Sequence, residues 1–239
     1  MITVRTLGPV DVACDGAAPP PELLWRKHLA LLVYLARSPR RARSRDHLVG
    51  LLWGDRPDAA ARHSLREAIR VLRRSLGEAA VETAGDDVRL GDGAVTLDVD
   101  QLDAHAAAER WEAAEPLVAG EFLEGFTVAD APAFEDWLAA ERLLWRRRAV
   151  EVLARCSTDA ARAGAVAWAA ECGRRALLID PISAAAVRVA RANALRNGVG
   201  DRVHPLVGDL MEMFKSSAAF DAVVSNPPYN PRDEIQTHP

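Results

Sequence analysis

The stretch from Ser44 to Leu76, SRDHLVGLLWGDRPDAAARHSLREAIRVLRRSL, limits the possible folds more than any other part of the chain. Leu48, Leu51 and Leu52 fall at helical spacing between Arg45 and Trp53, and Asp55, Pro57 and Asp58 then break the run. A second helix follows. Advancing about 100° per residue from Leu65 puts Leu65, Ile69, Leu72 and Leu76 on one narrow apolar stripe. On the same projection Arg62, His63, Arg66, Arg70, Arg73 and Arg74 share an adjoining arc about 120° wide. The leucine stripe requires one side to be packed down. The cationic arc requires either a polyanion or plain solvent on the other, and solvated arginine faces are common. Helix, break, basic helix is the sequence shape of a helix-turn-helix, which makes double-stranded DNA the candidate partner.

The charge distribution supports that choice. The net charge of −4 conceals a basic island: residues 26–74 hold 13 basic and 4 acidic residues, whereas the remainder holds 17 and 30. A local positive field inside an acidic protein is the footprint of nucleic-acid contact. A hydrophobic fraction of 49% with 27% charged residues allows ample core, and the heavy use of alanine with 5% aromatics favours helix over sheet. Cys14, Cys156 and Cys172 lie far apart in sequence without metal-ligand spacing, which suits reduced thiols used as core filler. The longest apolar run, residues 29–36, is too short for a bilayer and no leader pattern opens the chain. The expectation is a soluble cytoplasmic protein with no metal and no membrane partner.

Around the two helices the elements fall into a recognisable order. Ile2, Val4, Val10, Val12 and Cys14 alternate as a small hairpin, and 24–37 reads as an apolar supporting helix. Gly77 is placed to end the basic helix. Val81–Thr83, Val88–Leu90 and Val95–Leu97 then read as three short strands of a ribbon. Strands, three helices and a β-ribbon make a winged helix. The phrases VRTLGPVDVACDG and LLWGDRPDAAARHSLREAIRVLRRSLG resemble the winged-helix domain of the SARP family of bacterial transcriptional activators. The resemblance implies that the helix from Ala61 to Leu76 enters the major groove with the wing beside the minor groove. Arg62, Arg66 and Arg70 would then meet bases or phosphates, Arg73 and Arg74 phosphates, and His63 either. The wing departs from this pattern: Asp86, Asp87 and Asp92 face Arg89 alone, so its phosphate contact is expected to be weak or absent.

Beyond residue 99 the pattern turns helical. Residues 102–114 read as one alanine-rich helical segment, interrupted by Pro116 and Gly120. Phe122, Phe126, Phe134, Trp137 and Trp145 are spaced as core anchors, and Arg146, Arg147 and Arg148 read as a solvated turn. The phrase GEFLEGFTVADAPAFEDWLAAERLLWRRRAVEVLARC resembles the bacterial transcriptional activator domain of the same family, a stack of helical hairpins similar to tetratricopeptide repeats (TPR). AVAWAAECGRRALLIDP fits one repeat helix. Such modules offer one face to partners, here RNA polymerase or another regulator, and a homodimer is left open.

From about Asp180 a different pattern begins. The tail, with VGDL and SNPPY, resembles the middle of a Rossmann-like, S-adenosylmethionine-dependent methyltransferase of the amino-nitrogen type, acting on a protein glutamine or a nucleic-acid amine. The resemblance implies Asp180 and Asp209 as cofactor-binding carboxylates and Asn226, Pro227 and Tyr229 as the catalytic turn that orients an acceptor NH2. Three strands would be needed, at 176–180, 203–207 and 221–225. Activity is disfavoured because 152–163, where a Gly-rich cofactor loop belongs, contains no glycine. The reading is therefore a mainly α chain in three parts. Residues 1–100 form a winged helix-turn-helix (α+β), 101–180 a TPR-like helical domain, and 181–239 a partial Rossmann-like α/β segment. A DNA-binding regulator without a cofactor ranks first. A methyltransferase using S-adenosylmethionine is the alternative, and a purely protein-binding helical module is a third reading.

Overall fold

The structure is a computed structural model and describes residues 2–14 and 18–180, together with scattered positions between 189 and 200. Two short strands open it, β1 (Ile2–Arg5) and β2 (Asp11–Cys14), paired antiparallel with Val4 opposite Val12. Helix α1 (Arg26–Arg37) follows a single 3-10 turn over Pro21–Leu24. Every residue from His28 to Ala36 is buried, so α1 runs through the middle of the domain rather than along its surface. A short strand, β3 (Ala42–Ser44), leads into α2 (Arg45–Trp53), and Ser44 caps that helix by accepting a hydrogen bond from the His47 amide.

Helix α3 (Asp58–Leu76) carries the apolar stripe as expected: Leu65, Ile69 and Leu72 are buried, with Ala61, Ala68 and Val71 beside them. It ends at Gly77, whose φ of 99° is open to glycine and whose amide donates back to the Arg73 carbonyl. Strands β4 (Val81–Ala84) and β5 (Asp87–Leu90) form a tight hairpin through Gly85, itself at φ 56°. β3 completes this sheet on the other side of β5, in the order β3-β5-β4.

The expected three-stranded ribbon is corrected at its last strand. β6 (Val95–Leu97) leaves β5 and pairs parallel with β1, giving a second sheet of order β2-β1-β6. Hydrophobic burial drives the exchange, because Val95 and Leu97 sit fully covered beside Ile2 and Val4. The segment 102–114 is likewise two helices, α4 (Asp98–Ala107) and α5 (Trp111–Ala114), parted where Glu109 adopts φ 53°.

Helix α6 (Pro132–Arg162) and α7 (Val166–Ile179) form the helical hairpin. Two expectations fail here. Arg146, Arg147 and Arg148 lie within α6, not in a turn, and residues 176–179 belong to α7, not to a strand. An apolar run as short as ALLI fits either element, and packing against α6 selects the helix. Cys156 and Cys172, distant in sequence, are both fully buried on these two packed helices.

The winged helix and the helical hairpin share one core. Phe122, Phe126, Phe134 and Trp145 are buried as anticipated, and Trp137 meets the Tyr34 ring edge-on at 4.9 Å. The segment before α6 zips onto the first strand turn, with Gly8 donating to the Glu121 carbonyl and Leu123 to that of Thr6. Asp98 pins the same junction. Its buried carboxylate accepts from the Thr6 and Leu7 amides at 2.8–2.9 Å and from the Thr6 hydroxyl. Among the described residues no helix is long and apolar enough to cross a membrane.

Candidate nucleic-acid interface

The site is the outward side of α3, and the fold decides which of its cations are available. Arg62 and Arg73 sit nearest the apolar stripe, about 60° and 80° from Leu65, so each reaches a neighbouring element. Arg62 bonds Asp58 one turn earlier at 3.0 Å and bridges to Asp46 of α2 at 2.7 Å. Both carboxylates hold its guanidinium above its ordinary pKa, Asp58 most strongly. Arg73 turns inward: Nε donates to the Val81 carbonyl and one Nη to the Thr83 hydroxyl, each at 3.0 Å. In this arrangement it latches α3 to β4.

Farther round the helix the cations face solvent. Arg70 is exposed and, among the described residues, bonds only Glu67 of its own helix, at 2.8 Å. Arg66, Arg74 and His63 are exposed, with no side-chain partner among the described residues. These ion pairs are surface ones, with Arg62 at 42% and Arg70 at 67% exposure, so they exchange readily for phosphate. The outward surface is a row of Arg66, Arg70 and Arg74 at four-residue spacing, with His63 beside it, and within it Arg70 is paired with Glu67. Leu65, Ile69 and Leu72 hold the opposite side rigid against α1 and α2.

The flanking elements are tied to this face. The Arg45 amide at the start of α2 donates to the Asp86 carbonyl in the β4–β5 turn, which fixes the wing against the two helices. Arg56, in the loop between α2 and α3, donates to the Ser64 hydroxyl at 3.2 Å. The wing is acidic, as read from sequence, and its Arg89 is occupied by Glu82 and Asp92 at 3.7 and 3.4 Å.

A second set of residues bears on the tail. Asp180 follows the last turn of α7, not a strand, and 152–162 is continuous helix. Asp209, Asn226, Pro227 and Tyr229 lie outside the described residues. Sequence reasoning missed Asp98 and Arg37, which tie the first strand's end and α1 to the helical half, and Arg142, which holds the segment before α6 against that helix. Arg142 donates to the Phe122, Leu123 and Phe126 carbonyls, and Arg37 reaches Asp100 and Glu141 at 3.0 and 3.4 Å. Their partners are remote in sequence, so no local pattern marks them.

Comparison with known proteins agrees with this geometry. Residues 21–85, from the turn before α1 through β4 to the turn at Gly85, match the family described as transcriptional regulatory protein, C terminal. The fold is similar to that of Mycobacterium tuberculosis EmbR, solved in complex with a low affinity phosphopeptide. The TM-score is 0.64 at 20% identity, covering 83% of this chain and 55% of that one. A release factor glutamine methyltransferase from Bordetella pertussis is 40% identical over 70 residues, 29% of this chain and 25% of that protein. The chain thus spans little more than half of the first relative and a quarter of the second.

Proposed function

We propose that this chain, whose residues 21–85 are a winged helix of the transcriptional regulatory protein C-terminal family, is a sequence-specific DNA-binding transcriptional activator. The observation that carries the reading is the exposed row of Arg66, Arg70 and Arg74 on a helix anchored by leucines behind it. A helix of this diameter fits the major groove, and arginine is the side chain best matched to guanine edges and phosphates. Binding by this face calls on no cofactor. The helical half, residues 101–180, would hold RNA polymerase or another protein, and Leu143, Leu144 and Leu178, exposed on α6 and α7, would be the apolar contacts.

Selection from a random duplex library by the full chain tests the reading. Enrichment of one recurring motif supports it, and recovery of unselected sequence at every round overturns sequence specificity. The methyltransferase alternative rests on the 70-residue likeness, and calorimetry with S-adenosylmethionine on the full chain tests it separately.

A further inference from the structure

The helical half contains a cavity of ≈ 500 Å3 between α5 and the α6–α7 turn, far from α3 in sequence and of a size suited to a small molecule. Trp111, the first residue of α5, and Trp168, near the start of α7, both line it and are half-buried. The remaining tryptophans show how this protein treats an indole face. Lys27 lies over Trp53 at 5.9 Å and Arg37 over Trp145 at 4.8 Å, while Trp25 stacks on His28 and Trp137 packs among Tyr34, Phe122 and Phe134. Among the described residues, Trp111 and Trp168 alone of the tryptophans have neither a cation over the indole nor an aromatic ring against it.

The charge on the rim gives the sign of the missing neighbour. Glu109, Glu112 and Asp159 line the cavity against Arg110 as its one cation. Asp159 is paired with Arg162, but Glu109 and Glu112 have no ion pair among the described residues. An indole-walled cavity with a surplus of carboxylates attracts a positively charged guest through both the ring quadrupoles and the rim charges. An anion meets repulsion there, and a neutral apolar guest gains nothing from the carboxylates. The floor is held in place from behind, since the buried Cys156 thiol donates to the Trp111 carbonyl at 3.2 Å.

We propose that this cavity is a binding site for a small organic cation of the alkylammonium class, seated against Trp111 and Trp168 with Glu109 and Glu112 at its mouth. The site belongs to the helical half and stands independently of the DNA reading. The test is ligand-observed NMR titration of the full chain with tetramethylammonium, against tert-butanol as a neutral probe of the same shape. Saturable binding of the cation and none of the alcohol is expected. Trp168→Ala weakens the cation about two- to fivefold, the size of one solvent-accessible cation–π contact. Because that residue also packs, Glu109→Gln with Glu112→Gln provides a second variant at exposed positions, expected to weaken binding about threefold and to reduce its salt dependence. Absence of saturable cation binding, equal binding of the alcohol, or affinity unchanged in both variants overturns the proposal. None of these outcomes bears on α3, because DNA affinity is measured separately.

Discussion

Replacing Arg66 and Arg74 together by alanine separates cations aimed at DNA from cations the fold uses for itself. Both side chains are exposed and without partners among the described residues, so their removal leaves no buried group unsatisfied and the melting temperature should stay put. If each neutralises one phosphate, the slope of log K against log salt falls by about 0.9 per residue, or about 1.8 for the pair. At about 0.1 M salt that amounts to a loss of roughly 60-fold in affinity, shrinking toward nothing near 1 M. Arg73→Ala is the control. Its guanidinium holds the Val81 carbonyl and the Thr83 hydroxyl at 3.0 Å each. Losing it costs about 1–3 kcal/mol of stability, and each kcal/mol lowers the melting temperature by about 2–4 °C, while the salt slope is unchanged. Fluorescence anisotropy on a selected duplex between about 50 and 300 mM salt, with melting curves of each variant, reads both quantities. The reasoning is refuted if the Arg66/Arg74 double variant keeps the wild-type slope, or if Arg73→Ala loses slope without losing stability.

Three further outcomes follow from the packing. Asp98→Ala orphans the buried Thr6 and Leu7 amides and should cost about 3–5 kcal/mol in urea unfolding; less than about 1 would mean water replaces the carboxylate. Leu65→Ala, at a fully covered position on α3, should lose about 2–5 kcal/mol and DNA binding with it, whereas an unchanged midpoint would place the stripe outside the core. His47 is held below its ordinary pKa, first by burial and then by Arg43, while its Nε2 meets the Tyr34 hydroxyl at 2.6 Å. The unfolded chain therefore binds the extra proton more readily. The stability this contributes is complete above about pH 6.5 and is lost as the pH falls through the lower folded value. The urea midpoint of the wild type should drop more between about pH 7.5 and 5 than that of His47→Gln, and parallel profiles would dismiss His47 as the titrating group.

Much of the site was legible in the sequence because a helix is a local object. The 3.6-residue period alone puts Leu65, Ile69 and Leu72 on one side and five arginines with His63 on another, and Pro57 and Gly77 bound the element whatever surrounds it. The same projection even ranks the cations, since Arg62 and Arg73 lie closest to the stripe. Which of them remain free was decided by residues brought close only by the tertiary fold: Asp46 on another helix takes Arg62, and Val81 and Thr83 on a strand take Arg73. Long-range competition also moved β6 from the wing to β1. It turned residues 176–179 into helix against α6, and it placed the buried Asp98 carboxylate under two amides more than ninety positions away. Period and capping are written along the chain, whereas hydrogen-bond saturation and burial depend on which surfaces meet. The sequence therefore determined where the cationic helix lies, and only the packed structure decided which of its charges face outward.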